Sequence, residues 1–251
     1  MILSRTMEPA DYDELAPELK YVLAVAEICG GIHPAQHTHR KWEYALLARA
    51  IREVFGGNLN GKCALDVGSS AGFSPALLMS FGAFVKLTDL ELNDEWAQWQ
   101  NKQMMLAASV YGRSYVFTQE DVGEMQDERA FDVVACVSTL EHIAGEERAF
   151  RNMCRAIKPD GLLFLTMDSA YQEEDIFQLS HLRAGRIYAP ESMGRLVGHA
   201  DSFGLRVVGG ETDWRWKGAM VNDHSFSSLV MTRNGQSARR YRCGTTSQAT
   251  Q

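Results

Sequence analysis

The sequence has no long apolar run, no basic excess and no leader-like start. No stretch approaches the roughly 18 consecutive apolar residues of a membrane-spanning helix, and residues 1–5 lack a basic head with an apolar core. The 25 Lys and Arg against 32 Asp and Glu give a net charge of −7, which argues against a phosphate-backbone partner. We therefore expect a cytoplasmic protein without a membrane or nucleic-acid partner.

Cysteine is also scarce, odd in number and never arranged as Cys-x-x-Cys. The five cysteines are Cys29, Cys63, Cys136, Cys154 and Cys243. This scatter predicts reduced, mostly buried thiols, and it excludes a disulfide framework or a zinc knuckle. The 251 residues, 45% hydrophobic and 23% charged, fit one large globular domain, or one domain with an appendage.

The first sixty residues have the apolar spacing of helices. A first helix starting near Pro17 places four apolar residues on one face: Leu19, Val22, Leu23 and Ala26. A second helix does the same with five: Tyr44, Leu47, Ala48, Ile51 and Phe55. We interpret residues 1–60 as a helical cap, which would serve as a lid or as the surface of a homodimer.

From Lys62 onward, short apolar runs alternate with helix-length segments. The predicted strands are 64–67, 84–88, 115–117, 131–137, 162–166, 205–208 and 225–231. The clearest predicted helices are 94–110, 146–157 and 191–200. Near-continuous apolar strands alternating with helices indicate a parallel sheet covered on both faces. We assign this domain to residues 61–235 and expect the polar residues 236–251 to be disordered.

The most informative segment is the strand and small-residue turn at 64–74. Its acidic and small residues, Asp66, Gly68, Ser70 and Gly72, precede a helix that begins near Pro75. Such a turn presents backbone N–H groups and a helix N-terminus at the carboxyl edge of the sheet, where open α/β folds bind ligands.

The spacing of this turn excludes two common phosphate-binding loops. A dinucleotide fingerprint would need glycine at three positions that hold Gly68, Ser70 and Phe73, and no Gly-Lys-Ser/Thr of a phosphate loop follows. A dehydrogenase is therefore disfavoured. Two carboxylates follow later strands: Asp89 is placed for ribose hydroxyls, with Glu91 as a rival, and Asp121 for an adenine amine.

Three further motifs complete a family pattern. The chain reads Phe-Asp-Val-Val at 131–134, Leu-Glu-His at 140–142 and Ile-Lys-Pro-Asp-Gly at 157–161, with Asp160 in place of a glycine. Together with the turn at Gly68, this order and spacing resemble the class I S-adenosylmethionine-dependent methyltransferases. The resemblance implies a Rossmann-like, doubly wound α/β fold with seven strands, in which the antiparallel last strand, 225–231, lies beside the sixth.

The resemblance also implies S-adenosylmethionine (SAM) as the cofactor. Carried over by position, the cofactor-binding residues are Asp66, Gly68, Ser70, Gly72, Asp89, Leu90, Asp121, Val122 and Ser138. Asp66 would act directly or by orienting the loop amides. The expected reaction is methyl transfer to a small-molecule acceptor, most simply a hydroxyl of a sugar or specialised metabolite. The alternatives are N-methylation and a non-catalytic SAM-binding partner protein.

A hydroxyl acceptor needs a base to remove its proton. The candidates are His142, Asp168, His181 and His224, with His142 ranked first because it directly follows an element that the resemblance places facing the cofactor. Some relatives bind magnesium at this place through Glu-x-x-Glu-His, but Ser138 stands where their first ligand would be. We therefore expect no metal.

Two clusters of aromatic and charged residues remain open. Residues 37–44 would form either a lid, with Arg40 on the methionine carboxylate and Trp42 or Tyr44 stacked nearby, or a helix start packed on the sheet. Residues 214–216, Trp-Arg-Trp, would form either part of the acceptor pocket or a surface loop.

Overall fold

A computed structural model describes residues 1–29, 38–69, 73–90, 94–171, 174–176, 185–218 and 224–233. Seven strands form the main sheet: β2 (Cys63–Val67), β3 (Phe84–Asp89), β4 (Tyr115–Gln119), β5 (Phe131–Val137), β6 (Ile157–Ser169), β9 (Leu205–Val207) and β11 (Ser225–Arg233). Four short strands pair outside it: β1 (Ser4–Arg5), β7 (Glu174–Ile176), β8 (Gly185–Ile187) and β10 (Thr212–Asp213).

The strand order of the main sheet is β4-β3-β2-β5-β6-β11-β9. The pairs from β4 to β6 are parallel, whereas β11 runs antiparallel to both of its neighbours, β6 and β9. This arrangement confirms the predicted seven-stranded α/β sheet, including the insertion of the last strand beside the sixth.

Helices cover both faces of the sheet. They are α1 (Asp11–Glu14), α2 (Ala16–Ile28), α3 (Thr38–Phe55), α4 (Ser74–Ser80), α5 (Asp94–Tyr111), α6 (Glu146–Ala156) and α7 (Pro190–Asp201). Apolar residues of α2 to α5 form one core cluster with one face of the strands, and residues of α6 and α7 form a second cluster with the other face. The central strands β2, β5, β6 and β11 therefore contribute apolar residues to both clusters, as the continuous runs predicted.

The N-terminal residues differ from the all-helical prediction. Ser4 and Arg5 form β1, which pairs with β10, and Thr6 bridges to Ser227 of β11. The backbone N–H of Met7 then donates to the carbonyl of Phe226 at 2.8 Å. These residues pair with the part of β11 that extends beyond the short β9, so an edge that would otherwise be open is closed.

The helical face predicted around residue 19 is also partly wrong. Leu23 is 43% exposed, whereas Val25 and Glu18 of the same helix are buried. Glu18 can be buried because its carboxylate accepts hydrogen bonds from Arg49 and Arg52 of α3, at 3.0 and 2.6 Å. An ion pair between helices therefore rotates α2 away from the face that apolar spacing alone indicates.

Two further observations concern the first residues of β6 and the helices as a group. Asp160, the residue in place of the family's glycine, has a φ of +59°, a left-handed conformation that Asp adopts more readily than most residues. Among the residues that the structure describes, no helix is long and apolar enough to span a lipid bilayer.

Candidate active site at the carboxyl edge of the sheet

Four strand ends bring polar side chains to one edge of the sheet. Asp66 lies near the end of β2, Asp89 ends β3, Ser138 follows β5 and Asp168 lies near the end of β6. Because β2, β3, β5 and β6 are parallel, their carboxyl ends share this edge, which is where open α/β sheets bind ligands.

A hydrogen bond to Asp66 stabilises the turn after β2. Ser69 Oγ donates to Asp66 Oδ2 at 2.5 Å, and the N–H groups of Gly68 and Ser69 donate to the carbonyl of Thr88. Burial raises the pKa of Asp66 to about 7, opposed by hydrogen bonds from Ser69 and Ser74. Asp66 thus holds the loop, which agrees with the indirect role considered for it.

Gly68 fits closely against Thr139, the second residue after β5. A Cβ atom on Gly68 would lie 2.1 Å from Thr139 Cγ2 and 2.7 Å from Thr139 Cβ. Gly68 also has a φ of +74°, in the left-handed region that favours glycine. Both observations explain why this turn requires glycine at its first position; Ser70 and Gly72 lie outside the described residues.

The predicted nucleoside-binding residues follow the next two strands. The backbone N–H of Glu120 donates to the carbonyl of Asp89 at 3.0 Å, which joins the ends of β3 and β4. Asp121 Oδ1 accepts the N–H of Gly123 at 2.7 Å, so its carboxylate shapes the turn after β4. Of their neighbours, Leu90 is 51% exposed and Val122 is buried.

At the end of β5, Ser138 is bound by a carboxylate from the N-terminal part of the chain. Glu43 of α3 is fully buried, and its Oε1 accepts Ser138 Oγ at 2.5 Å and Thr166 Oγ1 at 2.6 Å. Its Oε2 accepts from Arg40 at 3.1 Å. Arg40 belongs to the cluster at residues 37–44, for which both a lid and a packed helix start were open, and no role was predicted for Glu43.

Of the four candidate bases, the structure brings two together. Asp168 Oδ2 lies 3.8 Å from His224 Nε2, because His224 immediately precedes β11, the strand antiparallel to β6. Burial raises the pKa of Asp168, while His224 and Arg40 oppose the rise and Glu43 adds to it.

The higher-ranked candidate, His142, occupies a different environment. It ends a short 3-10 helix, Leu140–His142, and its side chain is exposed, whereas that of the preceding Glu141 is buried. Exposure therefore distinguishes His142 from the Asp168–His224 pair, whose side chains are 24% and 15% exposed. His181 lies outside the described residues.

Glu141 is a second acid that the sequence analysis did not select. Burial, with a further contribution from Asp168, raises its pKa well above the usual range, and Arg40 opposes that rise. The available signal was its place in Leu-Glu-His, but the motif does not reveal that the Glu points inward. A buried carboxyl beside Asp168 favours its neutral form, in which it can donate a hydrogen bond.

The aromatic residues of the cluster 37–44 pack inside the protein. The Trp42 indole is fully buried and donates to Asp11 Oδ2 at 2.8 Å, which corrects the idea that it stacks on a cofactor. Tyr44 OH accepts the N–H of Phe73 at 3.1 Å, so it contacts the residue that precedes α4. The packed-helix interpretation is therefore right for Trp42, while Tyr44 borders the turn after β2.

Residues 214–216 line a groove of about 1030 Å³ together with Tyr171 and the start of α7. Trp214 donates its indole N–H to the carbonyl of Ser228 at 2.9 Å, and Arg215 pairs with Asp213. Over the part of the chain that the structure describes, Asp168 and His224 are not among the lining residues of this groove.

The polar groups at this edge fit an adenosyl cofactor. Ribose hydroxyls and an adenine amine are hydrogen-bond donors, and the carboxylates of Asp89 and Asp121 at the ends of adjacent strands are acceptors. Within the described ranges, no three His, Cys, Asp or Glu side chains converge as metal ligands. The fold places these carboxylates at the switch edge of an α/β sheet, which is where ligands bind in proteins of this fold class.

Comparison with known families agrees with this description. The model of the family described as "Methyltransferase domain" (Methyltransf_11) matches residues 65–165. A curated ubiquinone biosynthesis O-methyltransferase of Pseudomonas syringae is 34% identical over 110 residues, which are 43% of this chain and 45% of that protein. The match thus spans less than half of the curated relative.

Solved structures share the fold over most of the chain. The [4+2]-cyclase SpnF matches with a TM-score of 0.53 and 17% identity, covering 88% of this chain and 94% of that one. The 1,6-didemethyltoxoflavin-N1-methyltransferase of Burkholderia thailandensis, crystallised with S-adenosylhomocysteine, matches with a TM-score of 0.53 and 16% identity, covering 90% and 91%. At such identities the likeness shows the fold alone. The family match over residues 65–165 and the strand order thus agree on a methyltransferase domain with the fold of the class I SAM-dependent methyltransferases.

Proposed function

We propose that this protein is an enzyme that transfers the methyl group of SAM to a hydroxyl of a small molecule. The observation that carries the proposal is the turn after β2, where Asp66 fixes Ser69 and the close contact with Thr139 requires glycine at position 68. SAM supplies a methyl carbon already activated by a sulfonium, so the protein mainly has to bind, orient and exclude water.

Each nearby residue has a proposed part in that task. Asp89 accepts the ribose hydroxyls and Asp121 the adenine amine, while the loop amides after Gly68 face the amino acid portion. Ser138, with its neighbour Val137 at the end of β5, borders the side from which the acceptor approaches. Leu90 and Val122 supply apolar contacts to the adenine ring.

The Asp168–His224 pair is the proposed proton acceptor. An acceptor hydroxyl must lose its proton for O-methylation, and an imidazole or a carboxylate at this edge can take it. Burial raises the pKa of Asp168, which makes its carboxylate a stronger base than an exposed one. His142 is the alternative base.

The names of the curated relatives suggest the chemical class of the acceptor. Several curated relatives at 29–34% identity are ubiquinone biosynthesis O-methyltransferases, from Pseudomonas, Coxiella and Rickettsia. We therefore propose a hydroxylated intermediate of that kind of biosynthesis as the acceptor, in place of the sugar or specialised metabolite that the sequence analysis favoured. Homodimer formation and a cytoplasmic location stay predictions.

Two measurements test the proposal. Titration calorimetry should show micromolar binding of S-adenosylhomocysteine and none of NAD, and Asp89→Ala should weaken that binding tenfold or more while the exposed control Asp13→Asn leaves it unchanged. Incubation with methyl-labelled SAM and phenolic or amine acceptors, followed by mass spectrometry, separates O-methylation from N-methylation. Cofactor binding without labelled product from any acceptor would favour a non-catalytic role, and no binding at all would refute the proposal.

A further inference from the structure

Glu43 connects helix α3 to the two central strand ends of the site. Its carboxylate is fully buried and accepts three hydrogen bonds, from Ser138 after β5, from Thr166 of β6 and from Arg40 one turn earlier in α3. The partners in the strands are 95 and 123 residues away in sequence. A buried carboxylate is stable only when such partners satisfy it.

The first of these bonds acts on a residue with an unusual backbone. Ser138 has a φ of +42°, in the left-handed region, which is uncommon for a residue with a side chain. Its N–H donates to the carbonyl of Thr166 at 3.0 Å, and its hydroxyl is held by Glu43 at 2.5 Å. Contacts of this kind are what keep a residue in a sparsely populated conformation.

The conformation of Ser138 determines where the next residue lies. Thr139 packs directly against Gly68, the first residue of the cofactor turn, with no room for even a Cβ atom between them. A rotation at Ser138 would therefore move Thr139 toward or away from Gly68. Glu43 acts on the near end of the turn through this two-residue connection.

The next residue of α3 holds the far end of the same turn. Tyr44 is buried, its OH accepts the N–H of Phe73 at 3.1 Å, and its ring makes an edge contact with the ring of Phe73 at 5.3 Å between centroids. Consecutive residues of one helix thus fix both flanks of the cofactor turn.

We infer that Glu43 is a positioning residue for the cofactor turn: it holds Ser138 in the left-handed conformation that presses Thr139 against Gly68. The inference rests on the proposed function, because it takes the turn after β2 to be the cofactor site. Its consequence is that α3, far from the family motifs in sequence, sets the affinity for the cofactor.

The first test compares two substitutions at Glu43 with a control on the same helix. Glu43→Met keeps the length of the side chain but removes the acceptor oxygens, whereas Glu43→Gln keeps one acceptor for Ser138 and Thr166. We expect Glu43→Met to weaken S-adenosylhomocysteine binding at least tenfold in calorimetry, Glu43→Gln less than threefold, and the exposed Glu53→Gln not at all.

A rescue experiment separates positioning from general packing. Glycine occupies left-handed φ without steric cost, so Ser138→Gly removes the need for Glu43 to hold that conformation. We expect Glu43→Met to cost at least tenfold in affinity in the wild-type background and less than threefold in the Ser138→Gly background, so that the effect of Glu43→Met is largely lost in the double variant. A role limited to packing predicts the same loss in both backgrounds.

A second readout needs no ligand. The N–H groups of Gly68 and Ser69 both donate to Thr88, so their hydrogen exchange in the unliganded protein reports the order of the turn. We expect exchange about tenfold faster in Glu43→Met and unchanged in Glu53→Gln. If wild type fails to bind S-adenosylhomocysteine, the proposed function fails, and the exchange rates alone decide whether Glu43 positions the turn.

The remaining outcomes also decide the question. Wild-type affinity and wild-type exchange in a folded Glu43→Met would overturn the inference. If Glu43→Met does not fold, Ser138→Ala takes its place, because it removes the hydroxyl that Glu43 holds and leaves the carboxylate. Unchanged exchange at Gly68 and Ser69 in unliganded Ser138→Ala would overturn the inference equally, and exchange about tenfold faster would support it.

Discussion

Adding one methyl group to Gly68 should damage the protein far more than adding it to Gly61. Both glycines have a φ of +74°, so Gly68→Ala and Gly61→Ala place alanine in the same left-handed conformation. Around Gly61 nothing lies within 4 Å of the new Cβ, whereas at Gly68 it would meet Thr139. The difference between the two variants therefore isolates the contact with Thr139.

The size of that difference follows from the distances. Alanine in the left-handed region costs about 1–2 kcal/mol, which both variants share. At Gly68 the new atom would lie 2.7 Å from Thr139 Cβ, so no rotamer of Thr139 relieves the clash and the backbone must move. Overpacking of this kind costs about 1–3 kcal/mol more. We expect losses of about 2–5 kcal/mol for Gly68→Ala and about 1–2 kcal/mol for Gly61→Ala.

Urea unfolding gives the free energy of unfolding of each variant, and calorimetry gives the affinity for S-adenosylhomocysteine. The double variant Gly68→Ala with Thr139→Gly removes the clash and leaves only the backbone cost, so it should regain part of the affinity that Gly68→Ala loses. Equal stability losses in the two alanine variants would refute the reasoning, because the close contact with Thr139 would then have no energetic consequence.

Two predictions concern protonation. The pKa of Asp66 is raised to about 7, so the folded protein holds a proton that the unfolded chain releases near pH 4. The contribution of this group to the free energy of unfolding is full below pH 4 and declines as the pH rises toward 7. Asp66→Asn should flatten that decline when urea unfolding is measured between pH 4 and 8. An unchanged dependence of the unfolding free energy on pH would contradict the assignment. Asp168→Asn should lower kcat/KM by about 10²–10⁴ and remove the acid limb of its pH profile, whereas a retained limb would point to another base such as His142.

The fold was predictable because its signals are local. Buried parallel strands are short apolar runs, and five of them in the right order between helices leave few alternatives. For the same reason the position of Asp89 at the end of a strand could be predicted, because the apolar pattern already delimits that strand. The short pairings of β1 with β10 escaped prediction, since two-residue strands carry no periodic signal.

The centre of the site was less predictable because its contacts are distant in sequence. A glutamate three residues after an arginine on a helix reads as an exposed pair, and nothing local indicates that Glu43 is buried against Ser138 and Thr166. Likewise, Asp168 and His224 were both candidates, but only the register of β11 on β6 brings them together. Such pairings are set by tertiary packing, which single-sequence patterns do not encode.

The acidic side chains at this edge bear on how a cationic methyl donor would react there. Free carboxylates beside a cationic sulfonium would stabilise the donor more than the neutral thioether product, and so would oppose methyl transfer. Three of the acidic groups have polar partners or are buried. The Glu43 carboxylate accepts three hydrogen bonds, Asp168 lies beside His224, and burial favours the neutral form of Glu141. We therefore expect these three carboxyl groups to oppose methyl transfer less than exposed, unpaired carboxylates at the same positions would.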